Sequence, residues 1–144
     1  MSHSTISVEN LEALKVQLIC HEGLTTIPTK NGLGELTIGV GRNLYHKGIS
    51  EDEAERMLAR DLDELHKEVS DNLPIFNQLG ELRKLVLLNI AFSLGVEGLK
   101  SQKKLIAALC VQDFTVAANE ILRSNWIPDC PDRKEELSMM MKAG

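Results

Sequence analysis

A carboxyl, an amide and a hydroxyl side chain stand at intervals of nine and six residues near the start of this chain, as Glu22, Asn31 and Thr37. A glycosidic bond is ordinarily cut between two carboxyl groups: one protonates the leaving oxygen while the other activates a water or attacks from the opposite face. A Glu at a helix end and an acid on the hairpin that follows can face each other in this way. Here the second position carries an amide, which hydrogen-bonds a water but does not accept its proton near neutral pH. Each residue also has an ordinary reading. Glu22 alone is a solvated helix-end residue, Thr37 a strand residue, and Asn31-Gly32 a turn dipeptide whose members both tolerate positive φ. Other chemistries fit less well. Gly39-x-Gly41 is followed by Leu44 where a dinucleotide loop needs glycine, and His21-Glu22 lacks the second histidine of a zinc-protease helix. No metal and no cofactor are expected.

The neighbouring residues extend the pattern: His21-Glu22-Gly23-Leu24, then Asn31-Gly32-Leu33-Gly34, then Leu36-Thr37-Ile38-Gly39-Val40-Gly41-Arg42. This arrangement resembles the phage lysozymes and endolysins of the muramidase class, glycoside hydrolase family twenty-four. There a Glu-Gly pair ends the first helix, an Asp follows nine residues after the Glu, and a Thr lies six further on within Thr-Ile-Gly-x-Gly. Downstream, Arg83 to Gly95 with Asn89 and Phe92 looks like the family's central helix, and Trp126 followed by Pro131-x-Arg133 looks like its C-terminal motif. The resemblance implies Glu22 as general acid, Thr37 and position 31 as holders of the attacking water, Phe92 as a substrate-binding residue and Arg133 as the partner that orients Glu22. It departs from the family at Asn31, and at Lys103 and Lys104, where many relatives carry small hydroxyl residues. The implied activity is cleavage of the β-1,4 bond between N-acetylmuramic acid and N-acetylglucosamine in bacterial peptidoglycan, slowed by the amide at position 31. A second reading is a lysozyme-fold protein that binds a glycan or protein partner without turnover.

The elements that must position these residues follow from periodicity and caps. Val8, Leu11, Leu14 and Leu18 recur at helical spacing after a Ser7 cap and predict a helix ending near Gly23. Four glycines, a proline and β-branched residues from Leu24 to Tyr45 predict a small antiparallel sheet. Ser50-Glu51-Asp52-Glu53 is a capping box that opens a long helix to about residue 72. Its stripe of Ala54, Met57, Leu58, Leu62, Leu65 and Val69 opposes a charged face, so it can link two lobes while half in water. The acidic run at its start complements the helix dipole. Leu82 to Leu94 is apolar around most of its circumference and predicts a central buried helix that stops at Gly95. Short helices over Gln102–Leu109 and Phe114–Ser124, the second capped by Asp113, precede a turn at Trp126, Pro128 and Pro131 and a last helix over Asp132–Lys142. Met139 to Met141 are expected in the core. The fold class is therefore α+β and mainly α. It is read as a single lysozyme-like domain over 1–144, with a sheet lobe at about 24–46, a linking helix at about 50–72 and a helical lobe at about 74–144.

Composition bounds the rest. With 144 residues, 43% of them apolar, the chain can bury a core. Cys20, Cys110 and Cys130 are odd in number and show no metal-ligand spacing, favouring unpaired thiols in a reducing compartment. A net charge of −5 disfavours nucleic acid and long-range attraction to an anionic wall. Residues 1–10 show no basic leader, and no stretch is long enough to span a bilayer. The expectation is a monomer made in the host bacterium's cytoplasm, acting on the cell wall after release through a membrane pore.

Overall fold

A computed structural model describes residues 5–125 and 130–144; Trp126 and Pro128 lie outside this range, and the side chain of Pro131 is likewise not described. By backbone contact the chain divides into two compact units, Met1–Glu55 and Arg56–Gly144.

The first unit opens with α1 (Val8–Glu22), where Ser7 Oγ accepts from the amide of Asn10 at 3.2 Å, the expected cap. The helix ends because Gly23 turns to φ 79° while its N–H still reaches Ile19 O at 2.9 Å. Three antiparallel strands follow, β1 (Thr25–Lys30), β2 (Leu36–Gly39) and β3 (Arg42–Asn43), in the order β1-β2-β3. The β1–β2 ladder pairs Thr25 with Gly39, then Thr29 with Thr37 and Lys30 with Leu36, shifting register in between. Pro28 lies in the irregular stretch. Having no N–H, it cannot donate to a regular ladder there.

The capping box forms as read from the sequence: Glu53 N donates to Ser50 Oγ, and Ser50 N donates to Glu53 Oε1, each at 3.1 Å. It starts α2 (Glu51–Asn72), which is unbroken. The sequence did not show that Arg42 also binds this carboxylate, Nη1 to Oε1 at 2.6 Å. The Arg42 guanidinium, helped by the Ser50 amide, holds the Glu53 carboxyl down to about 2 from its ordinary 4.5. Because the folded value lies below the unfolded one, the associated stability is complete above about pH 4.5 and is lost as pH falls towards 2. Thermal unfolding of parent and Glu53→Gln from pH 7 downward should therefore give melting temperatures that converge in acid. A constant difference across that window would overturn this assignment.

The second unit is helical: most of α2, a 3₁₀ turn over Pro74–Gln78, α3 (Glu81–Lys100), α4 (Lys103–Cys110), α5 (Phe114–Arg123) and α6 (Pro131–Ala143). Its core is aliphatic around Phe76, with Leu87, Ile90, Leu99, Leu109, Ile121 and Met141 fully buried. Asp113 caps α5 as expected, Oδ1 accepting from Val116 N at 3.1 Å. The one buried polar side chain among the described residues, Ser138, donates to Ala118 O at 3.0 Å, so its burial leaves no donor unmet.

Gly95 stops the central helix as expected, at φ 76° and ψ 169°, and a second helical stretch follows directly, while two other expectations for this unit need correction. Val96 and Leu99 are buried beyond the break, so the apolar pattern restarts the helix. The forward part of α3 is less enclosed than its composition suggests, since Leu85 and Phe92 remain about half exposed. Of the three methionines, Met141 is buried and Met140 packs on the core, whereas Met139 is 70% exposed.

Candidate active site

Glu22 ends α1, and the break at Gly23 releases the chain directly into β1. The Thr25–Gly39 pairing then brings the turn between β2 and β3 back beside the helix end. Gly41 sits in that turn at φ 64°, and a Cβ placed there would lie 3.6 Å from Glu22 Oε2. Glycine is favoured at position 41 by its backbone conformation, while the carboxylate beside it stands at ordinary contact distance. Glu22 itself is exposed, so its carboxyl group is open to a bound molecule.

Asn31 shapes the β1–β2 hairpin. Its Oδ1 accepts from the amides of Leu33 at 2.9 Å and Glu35 at 3.0 Å, and its backbone N–H donates to Glu35 O at 2.8 Å. A turn does form at Asn31-Gly32, but neither residue takes a positive φ: the Asn31 side-chain oxygen builds the turn and Gly34 supplies the positive φ, at 78°. This fixes which end of the amide is available: with Oδ1 committed, Nδ2 is the end left for a bound molecule. Asn31→Ala should cost about 0.5–1.5 kcal/mol by leaving two turn amides to water. Denaturant unfolding measures this, and an unchanged midpoint would show that the side chain does not support the hairpin.

Thr37 is half-buried in β2, and its hydroxyl donates to Thr29 O at 3.1 Å. With that proton committed, the oxygen can only accept from a further partner. The Thr29–Thr37 and Lys30–Leu36 pairings make Asn31–Glu35 the next opposed pair. Side chains alternate along a strand, so Asn31, Glu35 and Thr37 occupy one face of the hairpin.

Phe92 and Arg133 lie in the second unit. Arg133 reaches from α6 to α3, donating from Nε to Asn89 Oδ1 at 2.8 Å and from Nη2 to Asn89 O and Ser93 Oγ, both at 2.9 Å. Both residues line one cavity of about 360 Å³ with Leu58, Leu62, Leu85 and Leu88 among its walls. Sequence reasoning singled out Arg133 as a partner of Glu22 and did not name Asn89 and Ser93 as its acceptors. Helical spacing from Asn89 to Ser93 is the signal that could have found them.

A sequence model of the family described as phage lysozyme matches residues 20–135. The chain belongs to the phage lysozyme family. The matched span begins two residues before Glu22 and ends two after Arg133, so it contains Glu22, Asn31, Thr37, Phe92 and Arg133. The chain is also similar to a Dictyostelium discoideum protein named "Probable T4-type lysozyme 1", at 24% identity over 99 residues. That match takes in 67% of this chain and 58% of the relative, so it spans less than two thirds of the relative's length. Among the described residues no group of histidine, cysteine and acidic side chains could hold a metal ion, and no helix is long and apolar enough to cross a membrane. Cys20, Cys110 and Cys130 are exposed and unpaired in this phage lysozyme family member.

Proposed function

We propose that this lysozyme-family chain hydrolyses the β-1,4 bond between N-acetylmuramic acid and N-acetylglucosamine in bacterial peptidoglycan, by a single displacement with inversion. Glu22 protonates the leaving oxygen. A water held at Thr37 and Asn31 attacks the sugar carbon from the other side, while Phe92 contributes to sugar binding. No cofactor takes part. The enzyme works as a monomer and reaches the wall from the host cytoplasm once a membrane pore opens.

The observation that carries this reading is the shared hairpin face of Asn31 and Thr37 in the same unit as the Glu22 carboxylate. Hydrogen bonding also explains why turnover should be slow. Thr37 Oγ1 can accept a proton of the water in a hydrogen bond, but Asn31 offers the water Nδ2–H, a donor that engages the lone pair needed for attack. That contact positions the water and lowers its nucleophilicity. The test is release of reducing sugar from purified peptidoglycan by the parent chain and by Glu22→Gln.

The commitment of Asn31 Oδ1 to the turn favours one alternative, a glycan- or protein-binding member of the family without turnover. It requires tight binding of peptidoglycan fragments with no release of reducing ends by any folded variant.

A further inference from the structure

We propose that Glu35 is the proton acceptor for the attacking water, supplying the base that an amide at position 31 does not. The inference rests on the hydrolytic reading above. Between Glu22 and Glu51 the sequence contains one carboxylate, Glu35, so within the hairpin there is no other candidate for the task.

Its placement suits the role. Glu35 lies on the hairpin face shared by Asn31 and Thr37, and two residues along a strand separate it from Thr37 by only about 7 Å at the backbone, within the span of a glutamate and a water. The Glu35 amide is fixed by Asn31 Oδ1 at 3.0 Å, and its carboxylate is fixed by His46, Nε2 to Oε2 at 2.5 Å. His46 is itself held: its amide donates to Asn43 Oδ1 at 2.9 Å, and its ring lies edge-on to Tyr45 at 5.2 Å between centroids. One carboxylate oxygen is thereby anchored, leaving Oε1 for a water. The side chain is 30% exposed and borders an open cavity of about 460 Å³ with Leu36, Leu44 and Tyr45, so water reaches it. The imidazole beside it holds the carboxylate in one orientation.

The step balances without any added reactant. The water oxygen bonds to the sugar carbon as the glycosidic carbon–oxygen bond breaks. One water proton passes to Glu35, and the Glu22 proton passes to the departing oxygen. Glu35 then returns its proton to solvent, and Glu22 regains one from solvent.

Reducing-sugar release from purified peptidoglycan is to be measured for parent, Glu35→Gln, Asn31→Asp and the double variant, all checked for folding by circular dichroism. The expected result is a loss of about 10²-fold for Glu35→Gln in the parent and less than about threefold for the same change beside Asn31→Asp, where the new carboxylate takes over. A merely structural role in the hairpin would lower both backgrounds alike, and that result overturns the proposal. So does a parent rate that survives Glu35→Gln, or an inactive parent made active by Asn31→Asp. The last two outcomes leave the muramidase reading intact, whereas no release from any folded variant, Asn31→Asp included, sinks both. Should Glu35→Gln misfold, Glu35→Asp shortens the side chain without removing its charge, and the same contrast between backgrounds is required.

Discussion

Glu22→Gln should reduce peptidoglycan hydrolysis by about 10²–10⁴-fold, the usual consequence of losing a positioned general acid. The substitution removes the carboxyl proton at the end of α1 and leaves the shape nearly unchanged. Stability should hardly move, because Glu22 is exposed and the C-cap of α1 is made by the Gly23 amide on Ile19 O and not by the carboxyl group. Gly41 leaves ordinary contact distance to the side chain, so an amide fits the same place. The measurement is the initial rate of reducing-end release at equal concentrations of folded protein, with thermal unfolding as the control. A variant that hydrolyses as fast as the parent would remove Glu22 from the mechanism. A variant that loses rate and melting temperature together would mean that Glu22 supports the structure and not the reaction.

The contrast between what the sequence showed and what it hid is one of range. Ser7, the Ser50–Glu53 box and Asp113 act within three residues, so residue types at fixed offsets were enough to place four helix-start interactions. Asn31-Gly32 was legible as a turn for the same reason. Arg42–Glu53 and Glu35–His46 each join residues eleven apart across a bend in the chain. Neither pair can be seen until the strand register is known, because a one-residue slip would turn Glu35 to the opposite face. Gly95 shows a different limit. It stops the helix as a local reading predicts, but the glycine alone does not reveal that a second helical stretch follows at once, burying Val96 and Leu99. Phe92 could be placed on a helix by periodicity, but the cavity it shares with Arg133 depends on how α3 and α6 pack.

Asn31→Asp should raise the rate of hydrolysis by at least about tenfold and up to about 10²-fold, the latter corresponding to roughly 2.7 kcal/mol of barrier. The turn itself predicts that the change is tolerated. Asn31 Oδ1 accepts two backbone N–H groups, and a carboxylate oxygen in its place accepts the same two with added charge assistance. The second carboxylate oxygen then stands where Nδ2 stood, replacing a donor to the water with an acceptor for its proton. One effect limits the gain: amide hydrogen bonds favour the ionised form and so weaken it as a base, while the like charge of Glu35 across the hairpin works the other way. The upper value therefore requires that the parent has little base of its own, while a gain near tenfold is what remains if Glu35 already serves. Equal and easily measured rates for the two forms would exclude any role for position 31 in moving the proton. If neither folded form releases reducing ends, restoring the pair has failed to restore a reaction, and the chain is better understood as a lysozyme-fold binding protein.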